Sequence, residues 1–386
     1  MKKRSVLFLV LIAVLLISLS VALLFFGGLG ARSKDPLQSN QSGGQQTGQP
    51  SATPDPDDIL RQNGSIPIPP SASDPKNASC GPLQVHILNV SQADAILIIT
   101  PGNKTIMIDS GSHMKKNSSS YMLAYLKQSG IKRIDYLIAT HYHEDHIGGM
   151  DDLFKSFDIG AVYDNGNCGN YSSAVQLSFE GYALSRNFTH VKTDMDLPAD
   201  PCLDAARLIV AYDRPQGCWP SSKESSNEND NSILLRLAYR NASFLFAGDC
   251  EADCEAELVR QGTYLGSDFL KVGHHGSATS STKPFLDAVG AAYYAISVDR
   301  IRSISDGYFH PRKESLSNIY EAGGFGSGLS KIFRTDLQGD ISLVSDGDAI
   351  AIRTGTDATN CQLFSGYSSS DKSSYGPIPA LAGSCK

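Results

Sequence analysis

The hydrophobic positions of the chain fall into two patterns, which a polar segment separates. Residues 6–26 carry no charge and no proline, and they follow Lys2, Lys3 and Arg4. From residue 83 onward the apolar residues come instead in short runs, rich in Val and Ile, that alternate with amphipathic stretches. A long uninterrupted apolar segment indicates a membrane span, whereas short alternating runs indicate the strands and helices of a folded domain.

The first apolar segment predicts an anchor in the cell membrane. About 20 apolar residues are enough for a helix to cross a bilayer. A cleaved signal peptide has a shorter apolar region and a small-residue cleavage site, for which Gly30-Ala31 is a weak candidate. The sequence therefore favours a single-pass signal anchor within residues 1–32, and a secreted protein is the alternative if this segment is cleaved. Basic residues before the span predict that the rest of the chain lies outside the cell.

The polar segment predicts a linker. Residues 33–80 are rich in Gln, Ser, Gly, Pro and Asp and have too few apolar residues to form a core. We expect a folded domain over residues 81–355 and a polar tail over residues 356–386, since the remaining length suits one large domain.

The cysteines agree with an extracellular location. Their number, eight, is even, and N-x-S/T glycosylation sequences recur along the chain. Disulfides are favoured over a metal site because no pair has the C-x₂-C spacing. Cys250 and Cys254 are expected to lie within reach of each other on a helix, and a Cys361–Cys385 bond would close the tail. The net charge of −7 argues against a broad basic surface for duplex DNA.

The folded region predicts an α/β sandwich with a site along its strand ends. Strand-like runs and helical stretches interleave, and the polar motifs come where strands end. The expected strands are residues 83–90, 94–100, 104–109, 134–140, 231–240, 242–249, 268–275, 291–298, 331–336 and 339–345, with a hairpin turn at Arg240-Asn241. The expected helices are residues 120–130, 254–262 and 282–290, and one after His310.

The motif directly after the strand at 134–140 carries the chemistry. His141, His143, Asp145 and His146 are four metal ligands within six residues. In a tight turn the first two can face one side and the last two the other, so one turn can serve two metal ions about 3.5–4 Å apart. Such a pair polarises a substrate and acidifies a bridging water. Nitrogen and carboxylate ligands suit Zn²⁺, with Mn²⁺ as an alternative, rather than Ca²⁺.

This motif, followed by Ile147-Gly148-Gly149, resembles that of the metallo-β-lactamase superfamily. Further blocks occur in the order seen in the hydrolase domain of ComEC-type competence proteins, roughly over residues 83–352. The resemblance implies an αββα sandwich and a binuclear metal-dependent hydrolase. The blocks are residues 90–96, 108–111, 231–235, 246–249, 270–277, 310–311 and 334–336.

The resemblance also implies two further ligands. Asp249 would bridge both metal ions, and His310 would end the shell of the ion held by Asp145 and His146. The chain departs from the pattern in two places. Residues 223–231 contain no histidine, which leaves the third ligand of the first ion open, and ComEC-type proteins usually carry Asp where this chain has His143.

Three other residues at strand ends are candidates for roles at the site. Asp109 is expected to accept a hydrogen bond from a ligand imidazole. His274 and His275 are expected, with Asp145, to act in catalysis. Since adjacent side chains of an extended strand point to opposite sides, only one of these two histidines should face the site, and the sequence does not say which.

The sequence says less about the substrate class than about the type of reaction. Arg300, Arg302 and Arg312 flank His310 in an otherwise acidic protein, and guanidinium groups beside two metal ions suit a phosphodiester. Together with Ser277, they are the predicted substrate-binding residues. Single-stranded nucleic acid is thus a candidate partner, and no protein partner is indicated. An ester, lactone or β-lactam hydrolase is the alternative, and a non-catalytic surface binding module is a third.

Overall fold

A computed structural model describes residues 80–114, 118–166, 173–211, 228–305, 307–325, 331–372 and 374–385. The predicted anchor, the linker up to residue 79, and Cys168 and Cys218 lie outside these residues. Within the described part of the chain, no helix is both long enough and apolar enough to span a membrane.

The first sheet contains both ends of the folded region. It comprises β1 (Leu83–Ile87), β2 (Ile96–Ile99), β3 (Thr105–Ile108), β4 (Arg133–Ile138), β5 (Asp158–Asp164), β6 (Asn187–His190), β14 (Ile341–Ser345) and β15 (Ile350–Thr354), in the spatial order β15-β14-β1-β2-β3-β4-β5-β6. Strands β3 to β6 are parallel. Parallel neighbours need crossover connections, which are α1 (Ser118–Gln128), α2 (Glu144–Ile147) with α3 (Met150–Ser156), and α4 (Ala174–Ala183).

The second sheet comprises β7 (Met195–Asp196), β8 (Ala205–Ile209), β9 (Leu234–Tyr239), β10 (Ala242–Phe246), β11 (Phe269–Lys271), β12 (Tyr293–Ile296) and β13 (Lys331–Arg334), in the order β13-β12-β11-β10-β9-β8-β7. Strands β10 to β13 are parallel. They are connected by α5 (Ala252–Gln261), α6 (Lys283–Val289), and α7 (Arg300–Ser305) with α8 (Lys313–Ala322). The remaining elements are α9 (Thr335–Gln338), α10 (Asn360–Leu363), β16 (Ser365–Tyr367) and β17 (Tyr375–Pro377).

The alternation of buried residues along the strands creates three cores. Phe244 and Phe246 of β10 pack with Ile106 and Ile108 of β3 in the core between the two sheets. Leu245, between the two phenylalanines, points the other way and packs under α5, α6 and α8. A third core lies between the first sheet and α1, α3 and α4. The order of layers is helix, sheet, sheet, helix, which confirms the predicted αββα sandwich.

Residues 356–386 differ from the polar tail that the sequence predicts. Leu363, Phe364 and Ile378 are buried in the core under the second sheet. The segment forms α10 and the hairpin β16–β17, which pair antiparallel. The predicted Cys250–Cys254 and Cys361–Cys385 disulfides are confirmed, and a third bond joins Cys80 to Cys202 across a sequence separation of 122.

A buried arginine holds this C-terminal segment to the second sheet. Arg334, at the end of β13, is fully buried and pairs through Nη2 with Asp336 Oδ2 at 2.7 Å. Its Nη1 donates to the carbonyl oxygens of Leu363 and Ser365 at 3.0 and 2.7 Å. Every one of these partners would be left buried without a donor if the guanidinium were absent.

We expect Arg334→Met to lower the free energy of unfolding by about 3–5 kcal/mol, because it removes one member of a buried ion pair. Urea unfolding followed by circular dichroism measures this change. Arg353→Met, on the exposed side of β15, is the control and should change stability little. Equal stability of the two variants would contradict the anchoring role of Arg334.

Candidate metal centre

The candidate site lies where the carboxyl ends of the parallel strands of both sheets meet. Asp109 follows β3, the segment 141–146 follows β4, and Asp249 follows β10. His274 and His275 follow β11, and His310 comes after β12 and α7. In open α/β sheets this edge is where ligands bind, because loops with functional residues can converge there.

A close approach between backbone segments brings the two sheets together at this edge. Gly248, just before Asp249, has a φ of +54°, and a Cβ there would lie 3.1 Å from side-chain carbons of Ser232 and Thr140. The backbone N–H of Ile233 donates to the carbonyl of Thr140 at 2.9 Å. A residue with a side chain at position 248 would push apart the segments that carry His141 and Asp249.

The histidine motif itself is held in place by the tyrosine within it. Tyr142 is buried, its hydroxyl donates to Asp164, and its N–H donates to Glu228 Oε1 at 3.0 Å. His141 Nε2 and His143 Nδ1 lie 3.0 Å apart. The structure therefore brings the two histidines together, while the ring of Tyr142 is anchored elsewhere.

Asp109 fixes the orientation of His146. Its carboxylate accepts hydrogen bonds from the N–H and the hydroxyl of Thr140, both at 2.8 Å, and lies 2.7 Å from His146 Nδ1. The other ring nitrogen, Nε2, is thereby directed toward Asp249 Oδ2, 3.2 Å away. A carboxylate behind an imidazole is the usual arrangement that fixes the tautomer of a metal-binding histidine.

Three overlapping groups of ligand atoms contain His146. The first consists of His141, His146 and Asp249, the second of Asp145, His146 and His275, and the third of Asp94, Asp109 and His146. Within each group the ligand atoms lie within 4.8 Å of one another. Neighbouring groups of this kind fit a pair of metal ions better than a single ion.

The prediction that only one of His274 and His275 faces the site is wrong, because the strand ends earlier than expected. β11 stops at Lys271, and both histidines adopt positive φ angles, +45° and +51°, in a tight turn. The alternation of an extended strand therefore does not apply. His274 Nε2 and His275 Nε2 lie 3.8 and 3.7 Å from Asp249 Oδ2.

His275 forms a ligand group with Asp145 and His146, the two residues beside which the sequence analysis expected His310. The Nδ1 of His275 lies 2.9 Å from the Ser297 carbonyl, which directs Nε2 to within 3.5 Å of Asp145 Oδ2. His310 belongs to none of the ligand groups described above, and its ring centroid lies 5.3 Å from that of His274. Its Nδ1 is buried and has no hydrogen-bond partner.

Sequence reasoning gave no role to Asp94 and Lys271, which form an ion pair beside the centre. Lys271 Nζ lies 2.8 Å from Asp94 Oδ2, and both side chains are almost completely buried. The other carboxylate oxygen of Asp94 can join Asp249 and His275 as a ligand group. A lysine inside an apolar strand was the available signal, since lysine is almost never fully buried without a partner.

Residues of the segment that lacks histidine support the site through hydrogen bonds. Residues 228–231 form a buried 3₁₀ turn. Asp230 accepts from the N–H of Cys254 at 3.1 Å, and Asn229 Nδ2 donates to Glu251 Oε1 at 3.1 Å. Glu251 in turn lies 2.6 Å from His274 Nδ1. These supporting residues have no signature of their own in the sequence.

The donor atoms present fit a divalent metal centre. His146 Nε2, His275 Nε2, Asp249 Oδ1 and Asp94 Oδ1 are all buried without a hydrogen-bond partner. Leaving one buried polar atom unsatisfied costs about 1–3 kcal/mol, so several in one place need a common partner. A cation supplies that partner, and this mixture of nitrogen and oxygen donors suits a transition metal.

The electrostatics of the cluster lead to the same conclusion. Burial would lower the pKa of His146, but the charges of Asp249 and Asp109 hold that pKa well above its ordinary value. Burial would raise the pKa of Asp249, yet the charges of His146, His275 and His274 hold it well below its ordinary value. The carboxylate therefore stays ionised, and without metal a proton on His146 balances part of the charge that a cation would neutralise.

Most of the predicted substrate-binding residues make contacts within the protein. Ser277 is buried and its hydroxyl lies 2.8 Å from that of Thr279. Arg312 donates to the carbonyls of Tyr308 and Ser368. Arg300 lies over the Tyr375 ring, at 4.8 Å from its centroid. Arg302 is exposed on α7.

The sequence profile of the metallo-beta-lactamase superfamily matches residues 88–297, more than half of the chain. The chain belongs to this superfamily. The matched region contains the histidine motif, Asp109, Asp249 and the two histidines after β11. The superfamily fold implies divalent metal ions, which agrees with the donor set described above.

Similar proteins include competence proteins of the ComEC type. The competence protein ComA of Neisseria gonorrhoeae is 28% identical over 256 residues, 66% of this chain and 31% of that protein. The ComE operon protein 3 of Bacillus subtilis is 24% identical over 272 residues, 67% of this chain and 32% of that protein. The chain thus spans about a third of the length of these relatives. Among solved structures, the metallo hydrolase Igni18 of Ignicoccus hospitalis is 13% identical, with a TM-score of 0.39 over 67% of this chain and 98% of that chain.

We expect Lys271→Met to destabilise the metal-free protein by about 3–5 kcal/mol, because Asp94 loses its buried partner. Added Zn²⁺ should reduce this loss, since a cation then compensates the charge of Asp94. Urea unfolding with and without the metal measures both effects. Lys331→Met, an exposed lysine in β13, is the control. If the two lysine variants unfold alike, the ion pair contributes nothing to the centre.

Proposed function

We propose that this protein is a binuclear metal-dependent hydrolase and that its substrate is a phosphodiester. The observation that carries the first part is the group of buried, unpaired donor atoms on His146, His275, Asp249 and Asp94. Burying polar atoms without hydrogen-bond partners is energetically unfavourable unless a cation binds them, and it does not improve packing. Membership of a superfamily with metal-dependent hydrolases supports the same proposal.

The ligand shells build on the groups around His146 and divide their members between two ions. His143 is added because its Nδ1 lies 3.0 Å from His141 Nε2. We assign His141, His143 and Asp249 to the first ion, and Asp145, His146, Asp249 and His275 to the second. His310 is proposed to complete the shell at the side where His274 lies. Zn²⁺ is the proposed metal because imidazole nitrogens predominate, and Mn²⁺ is the alternative because carboxylates also contribute.

The residues around the ions have separate tasks. Two divalent cations held by these residues would polarise the substrate and lower the pKa of water, which would supply the nucleophile. Asp109 holds His146 in one tautomer, and the Ser297 carbonyl does the same for His275. His274, with Nδ1 held by Glu251, can hold a proton at Nε2, which faces Asp249. We propose that this proton goes to the leaving oxygen.

The segment between β12 and His310 supports a phosphodiester as the substrate. It carries the exposed Arg302 in a protein with a net charge of −7. Tyr308 is half exposed, and its ring is nearly parallel to that of His310, at 11° and a centroid distance of 5.9 Å. A cation and an aromatic ring on the segment that leads to His310 suit a phosphate and its attached base, so single-stranded nucleic acid is the proposed partner.

We propose that the domain works outside the cell, held by the N-terminal segment. The described cysteines are all paired in disulfides, which persist in oxidising compartments. The membrane span is proposed from the sequence of residues 6–26.

We expect Asp249→Ala to lose both metal ions and all hydrolytic activity, because one carboxylate serves both ions. Elemental analysis of the purified protein measures the metal content. Asp253→Ala, on the exposed side of α5, should keep two ions and full activity. Two retained ions in Asp249→Ala would remove this residue from the centre.

We expect Arg302→Ala to lower kcat/KM for bis-p-nitrophenyl phosphate and single-stranded DNA by about ten- to a hundred-fold, with unchanged metal content. The basis is that a charge-assisted contact to phosphate contributes about 1.5–3 kcal/mol. KM should also rise with salt, which screens that contact. Arg353→Ala is the control.

The same assays distinguish the alternative substrate class. Rapid cleavage of nitrocefin, lactones or neutral esters, together with inactivity toward phosphodiesters with both Zn²⁺ and Mn²⁺, would refute the phosphodiesterase proposal. The metallohydrolase proposal would survive that result, whereas a parent protein that binds no metal would refute both.

A further inference from the structure

The C-terminal segment packs against the loop that carries His310. We call residues 360–385 the C-terminal hairpin and residues 307–312 the His310 loop. The hairpin comprises α10, β16 and β17, and the Cys361–Cys385 disulfide joins its two ends. It lies beyond residues 88–297, which match the superfamily profile.

The hairpin contacts the loop through one backbone hydrogen bond and one hydrogen bond from a side chain. The N–H of Tyr367 donates to the carbonyl of Pro311 at 2.9 Å. Arg312 forms an isolated parallel bridge with Tyr367, and its guanidinium donates to the carbonyl of Ser368 at 3.3 Å. The residue directly before this contact is His310, so the backbone that carries the imidazole is fixed by the hairpin.

Side chains of the hairpin also enclose the residue on the other side of His310. The Phe309 ring meets that of Tyr367 edge to face, with centroids 5.6 Å apart. Lys372 Nζ lies 5.5 Å from the centroid of the same phenylalanine ring. Both neighbours of His310 in the chain are thus held by the same element.

The hairpin is itself rigidly attached to the second sheet. Phe364 is fully buried, and Arg334 binds the carbonyls of Leu363 and Ser365. Displacing the hairpin would therefore require breaking a buried network. This network holds the hairpin in one position relative to the strand ends.

The hairpin adds to the other contacts that hold His310, whose ring also lies nearly parallel to that of Tyr308. The ring lies against His274, and its buried Nδ1 has no hydrogen-bond partner. Its N–H donates to the hydroxyl of Ser303, which fixes the backbone from the α7 side. The hairpin fixes the backbone of the loop on the other side of His310.

We infer that the C-terminal hairpin is a positioning element of the metal centre, which holds the His310 loop so that its imidazole can bind metal. This inference rests on the proposed function, in which His310 completes a ligand shell. No described residue of the hairpin belongs to the ligand groups, so it would act through the His310 loop.

The structure offers a matched pair of glycines to test this role. Gly366 and Gly376 are register partners in β16 and β17. A Cβ on Gly366 would lie 2.6 Å from the Pro311 carbonyl oxygen and 3.2 Å from the Arg312 carbonyl carbon, so it would push the hairpin away from the loop. A Cβ on Gly376 would meet nothing closer than Lys313 Nζ at 4.0 Å.

The experiment titrates Co²⁺ into the metal-free full-length protein, into Gly366→Ala and into Gly376→Ala, with His310→Ala as reference. Absorption in the visible range follows the coordination of each ion. We expect Gly366→Ala to bind one of two ions at least tenfold more weakly, with the altered spectrum of His310→Ala, while Gly376→Ala matches the parent. Activity should fall in parallel, chiefly in kcat.

Two substitutions of Arg312 test the same role if Gly366→Ala does not fold. Arg312→Gln removes the guanidinium that joins the loop to Ser368, and Arg312→Lys restores a donor at this position. We expect the Gln variant to reproduce the weaker Co²⁺ binding and the Lys variant to rescue it at least partly.

The possible failures are distinguishable. A parent protein that binds no Co²⁺ refutes the proposed function itself. A parent that binds two ions, with a folded Gly366→Ala that binds both equally well, overturns the positioning role. Normal binding in His310→Ala also overturns it, because the hairpin would then have no ligand through which to act.

Discussion

The carboxylate of Asp109 is the point on which the geometry of the site depends. It is fully buried and accepts from Thr140 and His146, so one group fixes both the beginning and the end of the histidine motif. Thr140 in turn binds Ile233 and contacts Gly248, which belong to the other sheet. The two halves of the sandwich are thus joined at the place where the ligands are needed, and the ligand geometry does not rely on flexible loops.

Charge balance is the second constraint on the centre. Asp94, Asp109, Asp145 and Asp249 bring four carboxylates into a space with one buried lysine. Lys271 compensates Asp94, and a proton on His146 compensates part of the rest when no metal is present. A buried site with too little positive charge has a strong preference for divalent cations, because they neutralise its carboxylates. The same need for a cation accounts for the buried donor atoms that have no hydrogen-bond partner.

The sequence determined the layers and the ligand types well, because both leave local patterns. Short apolar runs predicted β10 and its neighbours, and the spacing of His141 to His146 predicted a metal-binding turn. Two features could not be found in this way. The turn that aims both His274 and His275 at the centre depends on positive φ angles at non-glycine residues, which no local pattern encodes. The guanidinium of Arg312 donates to the carbonyl of Ser368, and a contact between residues so distant in the chain leaves no trace in composition.

The Cys80–Cys202 disulfide has a mechanical consequence. Cys80 stands directly before β1, a central strand of the first sheet, while Cys202 belongs to the connection between β7 and β8 at the edge of the second. Tension applied to the chain upstream of Cys80 therefore divides between the two sheets before it reaches the first hydrogen bond of β1. Unzipping β1 from β2 and β14 strand by strand is blocked by a covalent bond, so a pull on the chain at Cys80 loads the sandwich as a whole.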